Sequence, residues 1–317
     1  MVRLIITRLS TSIVSLIILI TLVFFMVHAT PGGPAYSILG VKATAKAIAA
    51  MNLKLGLAVP LPRQYAVWWW HLLQGRLGYS YQVNQPVALL IRVYMLNTLA
   101  LYLSAIVLGT ILSIIVGLIQ GVYYDRLAGR IIGGLQLIFY ALPSFFVGTI
   151  LILIFAVQFR WFPTGGISDL RIENPGIFVY ISHLTLPVLT VAIVSIAGLS
   201  RYFGQTVREE LTKEYVRTAA AKGVAFPRIL FGHVLRNALR PLVTILGLSF
   251  PYIFAGSIVV ESVFSYPGLG WLLWQSALGQ DYPVISAIVL LIGVLTILGN
   301  LLADIVNGLL DPRERFD

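Results

Sequence analysis

The feature that most constrains this chain is the spacing of its charged residues. Long stretches free of Asp, Glu, Lys and Arg recur along it, and most are rich in Leu, Ile, Val and Phe. A helix that crosses a hydrocarbon core of about 30 Å needs roughly 20 apolar residues. The charge-free runs are 9–41, 93–124, 131–159, 174–200, 241–260, 262–280 and 282–303. Six of them meet this requirement and predict six transmembrane helices.

The seventh run, 262–280, differs in composition. It reads SVFSYPGLGWLLWQSALGQ, with Pro267, three glycines and several Ser and Gln residues. Trp residues favour the membrane interface. We therefore predict a short outside loop with an interfacial or partly inserted helix that carries Trp271 and Trp274.

The overall composition agrees with a polytopic membrane protein. Of the 317 residues, 58% are hydrophobic and 11% are charged, whereas a soluble domain carries about 25% charged residues. This excludes a soluble enzyme, a disordered chain and a secreted disulfide scaffold. The chain has no cysteine, which excludes disulfides, thiol catalysis and cysteine metal sites.

The first apolar run is predicted to remain attached as a membrane anchor. A cleavable signal peptide has an apolar core of only about 7–15 residues. The run from Leu9 to His28 is longer than that, and Val27-His28-Ala29 is a poor small-x-small cleavage site.

The distribution of basic residues predicts the orientation. With the N-terminus inside, 14 of the 22 Lys and Arg residues lie in cytoplasmic segments, and the short outside loops hold only Arg160 and Arg171. The other six lie in a long outside segment, which the positive-inside rule does not govern. Both termini are predicted to be cytoplasmic. The net charge of +10 then reflects topology, and we expect no nucleic-acid partner.

A single transmembrane domain over 1–317 follows, with boundaries that we predict from these runs. They are TM1 about 9–29, an extracytoplasmic segment 30–92, TM2 about 95–121, TM3 about 131–159, TM4 about 181–200, a cytoplasmic coupling loop 201–240, TM5 about 241–261 and TM6 about 283–307.

The outside segment 30–92 has two interpretations. A turn cluster at 31–34 ends the first helix, residues 42–55 predict a short surface helix, and aromatic residues concentrate at 65–70. The segment is either a small cap with tryptophans at the bilayer interface or a docking surface for an extracytoplasmic partner.

The cytoplasmic loop 201–240 also has two interpretations. A helix is predicted from Glu214 to Lys222, with Gly223 at its C-terminal cap, and a second from about Arg228 to Arg240. In the second, Leu230, Val234 and Ala238 recur at a spacing of four. The small side chains at 219–221 would let another protein approach closely. The loop is either an ordinary positive-inside loop or a docking element.

A few ionisable and kink-forming residues lie in or near the spans. A charge near the end of a span costs little free energy, because the side chain can extend to water or water can reach it. Prolines inside spans kink helices and often line a pathway. The ionisable residues are His28, His183, Glu261 and Asp304. The candidates for a pathway or gate are Pro143, Pro187, Pro251 and Glu261.

The chain lacks the motifs of catalysis. It contains no Gly-Lys-[Ser/Thr] nucleotide loop, no HExxH zinc motif and no GxSxG nucleophile elbow. The four histidines share no metal-ligand spacing. These absences disfavour an enzyme, and we expect no cofactor or metal on this chain.

The cytoplasmic loop carries a family resemblance. YVRTAAAKG at 215–223, followed by LRNALRP at 235–241, closely resembles the cytoplasmic signature of ABC importer permeases. It is similar to the dipeptide/oligopeptide/nickel branch, in the member with the long first outside loop. Segments that agree along the chain include LPSFF at 142–146, WFP at 161–163, VESVF at 260–264, YPGLG at 266–270 and NLLAD at 300–304.

The resemblance implies an all-α fold of the type I ABC importer kind, in which residues about 213–226 form a coupling helix on an ATPase subunit. Arg217, Thr218 and Ala219 occupy the positions of the signature's Glu-Ala-Ala, and Arg236 occupies that of its later proline. The implied ATPase-coupling residues are Glu214, Tyr215, Arg217, Thr218, Ala219, Ala220, Ala221, Lys222 and Gly223.

The resemblance also implies the partners and the mechanism. They are a second permease, two ATP-binding subunits that hold ATP and Mg, and an extracytoplasmic substrate-binding protein. Alternating access would then import peptides or similar solutes. The alternatives are a stand-alone secondary transporter or channel, for which we find neither paired intramembrane carboxylates nor an inverted repeat, and a membrane-embedded enzyme.

Overall fold

The computed structural model describes residues 2–29, 33–40, 42–168, 175–248 and 258–310. Over these ranges the regular structure is helical apart from one isolated antiparallel bridge between Tyr79 and Pro86. This confirms the predicted all-α class. The chain divides into a first unit of 1–98, 254–258 and 267–317 and a second unit of 99–253 and 259–266.

The helices follow the predicted order but extend beyond the apolar runs. They are α1 Val2–His28, α2 Gly33–Leu39, α3 Ala45–Lys54, α4 Leu61–Leu73, α5 Val87–Val122, α6 Leu127–Ala141, α7 Ser144–Leu151 with a π-helix Ile152–Gln158, α8 Ile177–Leu211, α9 Glu214–Ala221, α10 Phe226–Ile229 with a π-helix Leu230–Val234, α11 Leu235–Leu248, α12 Ile258–Val263, α13 Leu269–Leu278 and α14 Tyr282–Leu310.

Several of these helices are suited to a membrane. Four are long and apolar enough to cross it, namely Val87–Val122, Ile177–Leu211, Phe226–Gly247 and Tyr282–Leu301. The bent pair Leu127–Ala141 and Ser144–Gln158 would be a fifth span, and α1 contributes the shorter apolar stretch Ser10–Met26. The count of six spans and its boundaries stay a prediction. The helix 226–248 runs through the predicted boundary at 241 without a break.

In the first unit, α13 is held by polar contacts as well as by apolar packing. The first N–H groups of a helix lack partners within it, and here Thr98 Oγ1 accepts from the Leu269 N–H at 2.7 Å. Asn97 Nδ2 donates to the Pro267 carbonyl at 2.8 Å. The apolar core joins α5, α13 and α14 through Val87, Leu90, Ile91, Leu269, Leu272, Val284, Ala287 and Ile288. The helix predicted within 262–280 is confirmed as α13.

The loop 80–83 is joined to the start of α14 by one carboxylate. Asp281 is buried and accepts hydrogen bonds from the Ser80 hydroxyl, from the Tyr81 N–H at 3.0 Å and from the Gln82 N–H at 3.3 Å. Hydrogen bonds of this kind compensate a buried carboxylate for its lost contact with water. These bonds fix the loop 80–83 against α14.

In the second unit, α5 and α8 pack backbone to backbone through glycines. A Cβ atom on Gly117 would lie 2.6 Å from the Ser200 carbonyl oxygen, and one on Gly121 would lie 2.7 Å from the Gly204 carbonyl oxygen. Small residues let membrane helices approach this closely. The Gln136 amide of α6 completes the contact by donating to Gln120 Oε1 at 3.2 Å and to Ser200 Oγ at 2.9 Å.

The predicted third span is two helices rather than one. α6 and the helix 144–158 meet at 102°. The residue before a proline is confined to extended conformations, and Leu142 indeed has φ −78° and ψ 130° before Pro143. The proline therefore ends α6 and caps α7, so it makes a corner where the sequence predicted a kink.

Replacing Gly117 by Ala should destabilise the protein, because the added methyl group meets backbone that cannot rotate away. Overpacking of this kind costs about 1–3 kcal/mol. Gly134 on α6 is the matched control, because nothing lies within 4 Å of the place its Cβ would take. Thermal unfolding in detergent checks the prediction. Equal melting temperatures for G117A and G134A would contradict the close α5–α8 contact.

Candidate functional site

The element that carries the family resemblance is a short exposed helix, α9, Glu214–Ala221. It follows the long helix α8 after Thr212 and Lys213. Glu214 lies in its first turn, where a negative charge interacts favourably with the helix dipole. The ion pair between Glu214 and Arg217, at 3.0 Å, has both side chains largely exposed and contributes little stability.

The end of α9 depends on Gly223. The Gly223 N–H donates to the Ala220 carbonyl at 2.9 Å, and the Val224 N–H donates to the Ala219 carbonyl at 3.2 Å. This pair of bonds is the Schellman ending, which requires a left-handed residue, and Gly223 has φ +78°. The predicted C-terminal cap is confirmed.

One face of α9 packs against other helices of the second unit. Val216 and Ala219 of α9, with Val224 just after it, contact a buried apolar cluster. That cluster joins α8, α10, the π-helix Leu230–Val234 and α11. Its buried members are Phe203, Val207, Ile229, Leu230, Val234, Ala238 and Leu242. The predicted apolar face of Leu230, Val234 and Ala238 is therefore confirmed.

The opposite face of α9 is exposed and has little bulk. Arg217, Thr218, Ala220, Ala221 and Lys222 are all exposed. Of the three alanines at 219–221, Ala219 contacts the apolar cluster, whereas Ala220 and Ala221 are exposed. The remaining face offers two methyl groups between cationic and hydroxyl side chains.

A carboxylate that the sequence analysis did not single out joins α9 to α8. Glu210 lies in the last turn of α8, where the helix dipole disfavours a negative charge, and its side chain is 10% exposed. It accepts hydrogen bonds from the Tyr215 hydroxyl at 2.6 Å and from the Lys213 ammonium. In the sequence, Glu210 is only a carboxylate five residues before Tyr215. That spacing predicts no contact between them unless the fold is known.

These contacts change the ionisation of the groups. Burial alone would raise the pKa of the Glu210 carboxyl, but the hydrogen bonds from Lys213 and Tyr215 outweigh it, so the pKa lies below its usual value. Burial and the bond to Glu210 raise the pKa of Tyr215. At neutral pH the carboxylate is therefore charged and the phenol is neutral, which is the pairing that the hydrogen bond requires.

Three of the four predicted pathway and gate residues lie among the described residues. Pro143 caps α7 and Pro187 lies buried inside α8, whereas Pro251 lies outside the described residues. The expectation that water reaches Glu261 is wrong, because it is 0% exposed in α12. His183 is also buried, with Nδ1 at 2.9 Å from the Gly165 carbonyl oxygen. The side chain of Asp304 lies outside the described residues.

Comparison with known proteins decides the family. Residues 109–316 match the binding-protein-dependent transport system inner membrane component, and residues 1–102 match the N-terminal component of the same transport systems. The chain belongs to this permease family. It is 39% identical over 316 residues to the oligopeptide transport system permease protein AppB of Bacillus subtilis, with 98% of this chain and 99% of that protein covered. It is 36% identical over 316 residues to the glutathione transport system permease protein GsiC of Salmonella typhimurium, with both chains fully covered.

Membership has direct consequences. The chain is a membrane permease subunit of an ABC importer and a multi-pass protein of the bacterial cell membrane. The family consists of transport permeases rather than enzymes, and its members act in complexes with other ABC components.

Replacing Glu210 by Gln should loosen α9, because a neutral amide accepts weaker hydrogen bonds from Tyr215 and Lys213. Bonds to charged groups contribute about 1.5–3 kcal/mol, so exchange of the α9 backbone amides should accelerate roughly tenfold or more. Glu209→Gln is the matched control, because the exposed Glu209 carboxylate accepts only from Gln205 within the described part of the chain, at 3.1 Å. Equal exchange in both variants would contradict the attachment.

The same bond predicts a pH dependence. Because folding lowers the Glu210 pKa, its stabilising effect is complete above the ordinary carboxyl value of about 4.3 and is lost as the pH falls through the folded-state value. After correction for intrinsic exchange rates, protection of α9 should decrease on acidification in the native protein. It should change less in E210Q, and an identical acid response in the two proteins would argue against this role.

Proposed function

We propose that this permease forms half of the translocation pathway of an ATP-driven importer, with α9 as its coupling helix to an ATPase subunit. The observation that carries the proposal is the pairing of two features in one short helix. Its outer face is exposed, small and cationic, and its base is bonded through Glu210 to the long helix α8.

This arrangement transmits displacement from a partner to a membrane helix. Movement of an ATPase groove against Ala220 and Ala221 pushes α9, and the Tyr215–Glu210 bond carries that push to the end of α8. The apolar contacts of Val216 and Ala219 prevent α9 from turning independently. The ATPases shift the permease between inward- and outward-open states by binding the two with different affinity.

The proposed complex has four kinds of component. They are this chain, a second permease, two ATP-binding subunits and an extracytoplasmic substrate-binding protein. ATP and Mg bind the ATPase subunits, which agrees with the lack of a nucleotide loop in this sequence. The coupling set is Glu214, Tyr215, Arg217, Thr218, Ala219, Ala220, Ala221, Lys222 and Gly223.

The proposed gate uses the bend at Pro143, the buried Pro187, Pro251 and the buried carboxylate of Glu261. Helices interrupted by proline are weak points at which a bundle can change shape. An ionisable side chain buried in such a segment is a functional candidate by default, and the complete burial of Glu261 strengthens its candidacy.

The proposed cargo is a peptide or a similar solute. The relatives named for oligopeptide and glutathione transport support this class, since glutathione is itself a small peptide. Both relatives match over nearly the whole chain, so the similarity is not confined to the ATPase-facing loop.

Replacing Gly223 by Trp should abolish uptake while leaving the protein inserted. Nothing lies within 4 Å of the place a Cβ would take, so the indole would project into the docking surface rather than into the chain. Any side chain at φ +78° is strained, so Gly223→Ala is the matched control, because it introduces that strain without the bulk of Trp. ATP-dependent uptake in proteoliposomes of the complex measures both variants. Normal uptake in G223W, or equal loss in G223A, would contradict docking at this point.

Gentle detergent purification of the chain from its native membrane should recover the proposed partners. Mass spectrometry is expected to identify two ATPase subunits per complex, a second permease and a binding protein whose bound ligand identifies the cargo. A chain that transports alone and without ATP would instead support the secondary-transporter alternative.

A further inference from the structure

The charge of the outside segment is unusually one-sided. The sequence contains no Asp or Glu before Asp125, yet residues 30–92 contain six Lys and Arg residues. Surfaces of a single sign attract ligands of the opposite sign. The segment therefore has a strong intrinsic preference for anions.

Part of this charge surrounds a cavity of about 880 Å³ within the first unit. The loop after α3, the helix α4 and the loop 76–84 form its walls, and side chains of α1 and α14 complete it. Small-molecule sites usually have volumes of about 300–1,000 Å³. The cavity is thus large enough for a solute of a few amino-acid residues.

Three cations line the cavity without a counter-ion. They are Lys54, Arg63 and Arg76, and in the described part of the chain none of them forms an ion pair or a side-chain hydrogen bond. No acidic residue is among the described lining residues. Asp281 is not a lining residue; its carboxylate is buried and accepts from Ser80, Tyr81 and Gln82.

The rest of the lining is aromatic and carries hydrogen-bond donors. Phe24 and His28 stack with their ring centroids 4.1 Å apart, and the His28 ring lies 4.7 Å from that of Tyr282. Trp68 adds a face 5.4 Å from Phe24. Burial, with Asp281 nearby, raises the pKa of Tyr81 to about 12, so its phenol keeps its proton. Aromatic walls with a few polar groups are typical of sites for organic ligands.

We propose that this cavity binds the carboxylate end of a peptide-sized organic anion, with Arg63 and Arg76 as the charge-recognising residues. The class of ligand rests on the proposed function, whereas the charge preference follows from the cavity itself. Arginine suits a carboxylate because its planar guanidinium can donate two parallel hydrogen bonds. Since no lining carboxylate is available for an ammonium group, a free amino end is not recognised.

A concave site favours a small solute over a partner protein's surface. A cavity surrounds a small molecule on several sides and removes most of its surface from water, whereas standard protein interfaces bury about 800 Å² per partner. The basic residues that do not line the cavity, such as Lys42 and Lys46, provide long-range attraction for an approaching anion.

Equilibrium binding of three related probes tests the charge rule. The full-length chain, in the complex with which it purifies, is placed in phosphatidylcholine nanodiscs without ATP and titrated by calorimetry. The probes are N-acetyl-Ala-Phe-Ala, which is anionic, Ala-Phe-Ala, which is zwitterionic, and the C-terminal amide of Ala-Phe-Ala, which is cationic. The acetylated peptide should bind tightest and the amide weakest, with an overall difference of roughly tenfold or more.

Paired substitutions test the location. Arg63→Gln with Arg76→Gln should weaken binding of the acetylated peptide roughly tenfold and remove the preference over the amide. Lys42→Gln with Lys46→Gln removes the same charge from the same segment, but outside the cavity. This variant should therefore keep both the affinity for the acetylated peptide and the preference over the amide. Circular dichroism and insertion of each variant confirm that the fold is unchanged.

Three results would overturn the inference. The first is equal affinity for the three probes, and the second is an equal loss of peptide affinity in the two double variants. The third is that the native protein binds none of the peptides while R63Q/R76Q loses docking of the binding protein. If ATP-dependent uptake is intact but the three probes bind with equal affinity, this inference is overturned and the proposed function stands. Selective binding without any ATP-dependent uptake would overturn the proposed function and leave the cavity assignment standing.

Discussion

The absence of water in the hydrocarbon core is the constraint on which the rest of this structure depends. Each backbone N–H and C=O group there needs a partner within the protein, which is why long helices dominate the described chain. The same constraint acts on side chains. Gln136 donates to Gln120 and Ser200, and Thr98 receives the first N–H of α13. Apolar contact between two helices is no more favourable than apolar contact with lipid. Polar groups therefore help to hold these helices together.

The helix α9 depends on its surroundings for a different reason, because it is too short to be stable alone. Isolated helices of fewer than about 12 residues are marginal in water, and α9 has eight. Its conformation therefore comes from three attachments: the Glu210 carboxylate at its start, the left-handed Gly223 at its end and Val216 on its inner face. A partner that binds it contacts a preformed surface, so little ordering entropy opposes docking.

Much of this could be predicted from local sequence, and the rest depends on residues far apart. The runs of apolar residues predicted the long helices, and the glycine after YVRTAAAK predicted the end of α9, because both signals act within a few residues. The 102° corner at Pro143 was predicted only as a kink, since the proline restricts Leu142 but does not set the direction of the next helix. Glu210 and Asp281 could not be identified, because a carboxylate's role depends on which donors the fold brings to it.

The Asp281 contact also bears on how the chain is made. Its donors, Ser80, Tyr81 and Gln82, lie about 200 residues earlier in the sequence. During synthesis these groups remain without their acceptor until the last long helix begins to emerge. The loop 80–83 can therefore reach its final form only after nearly 90% of the polypeptide, up to Asp281 of 317 residues, has been made. A chain that ended before Asp281 would lack this acceptor, so the loop would lose its attachment to α14.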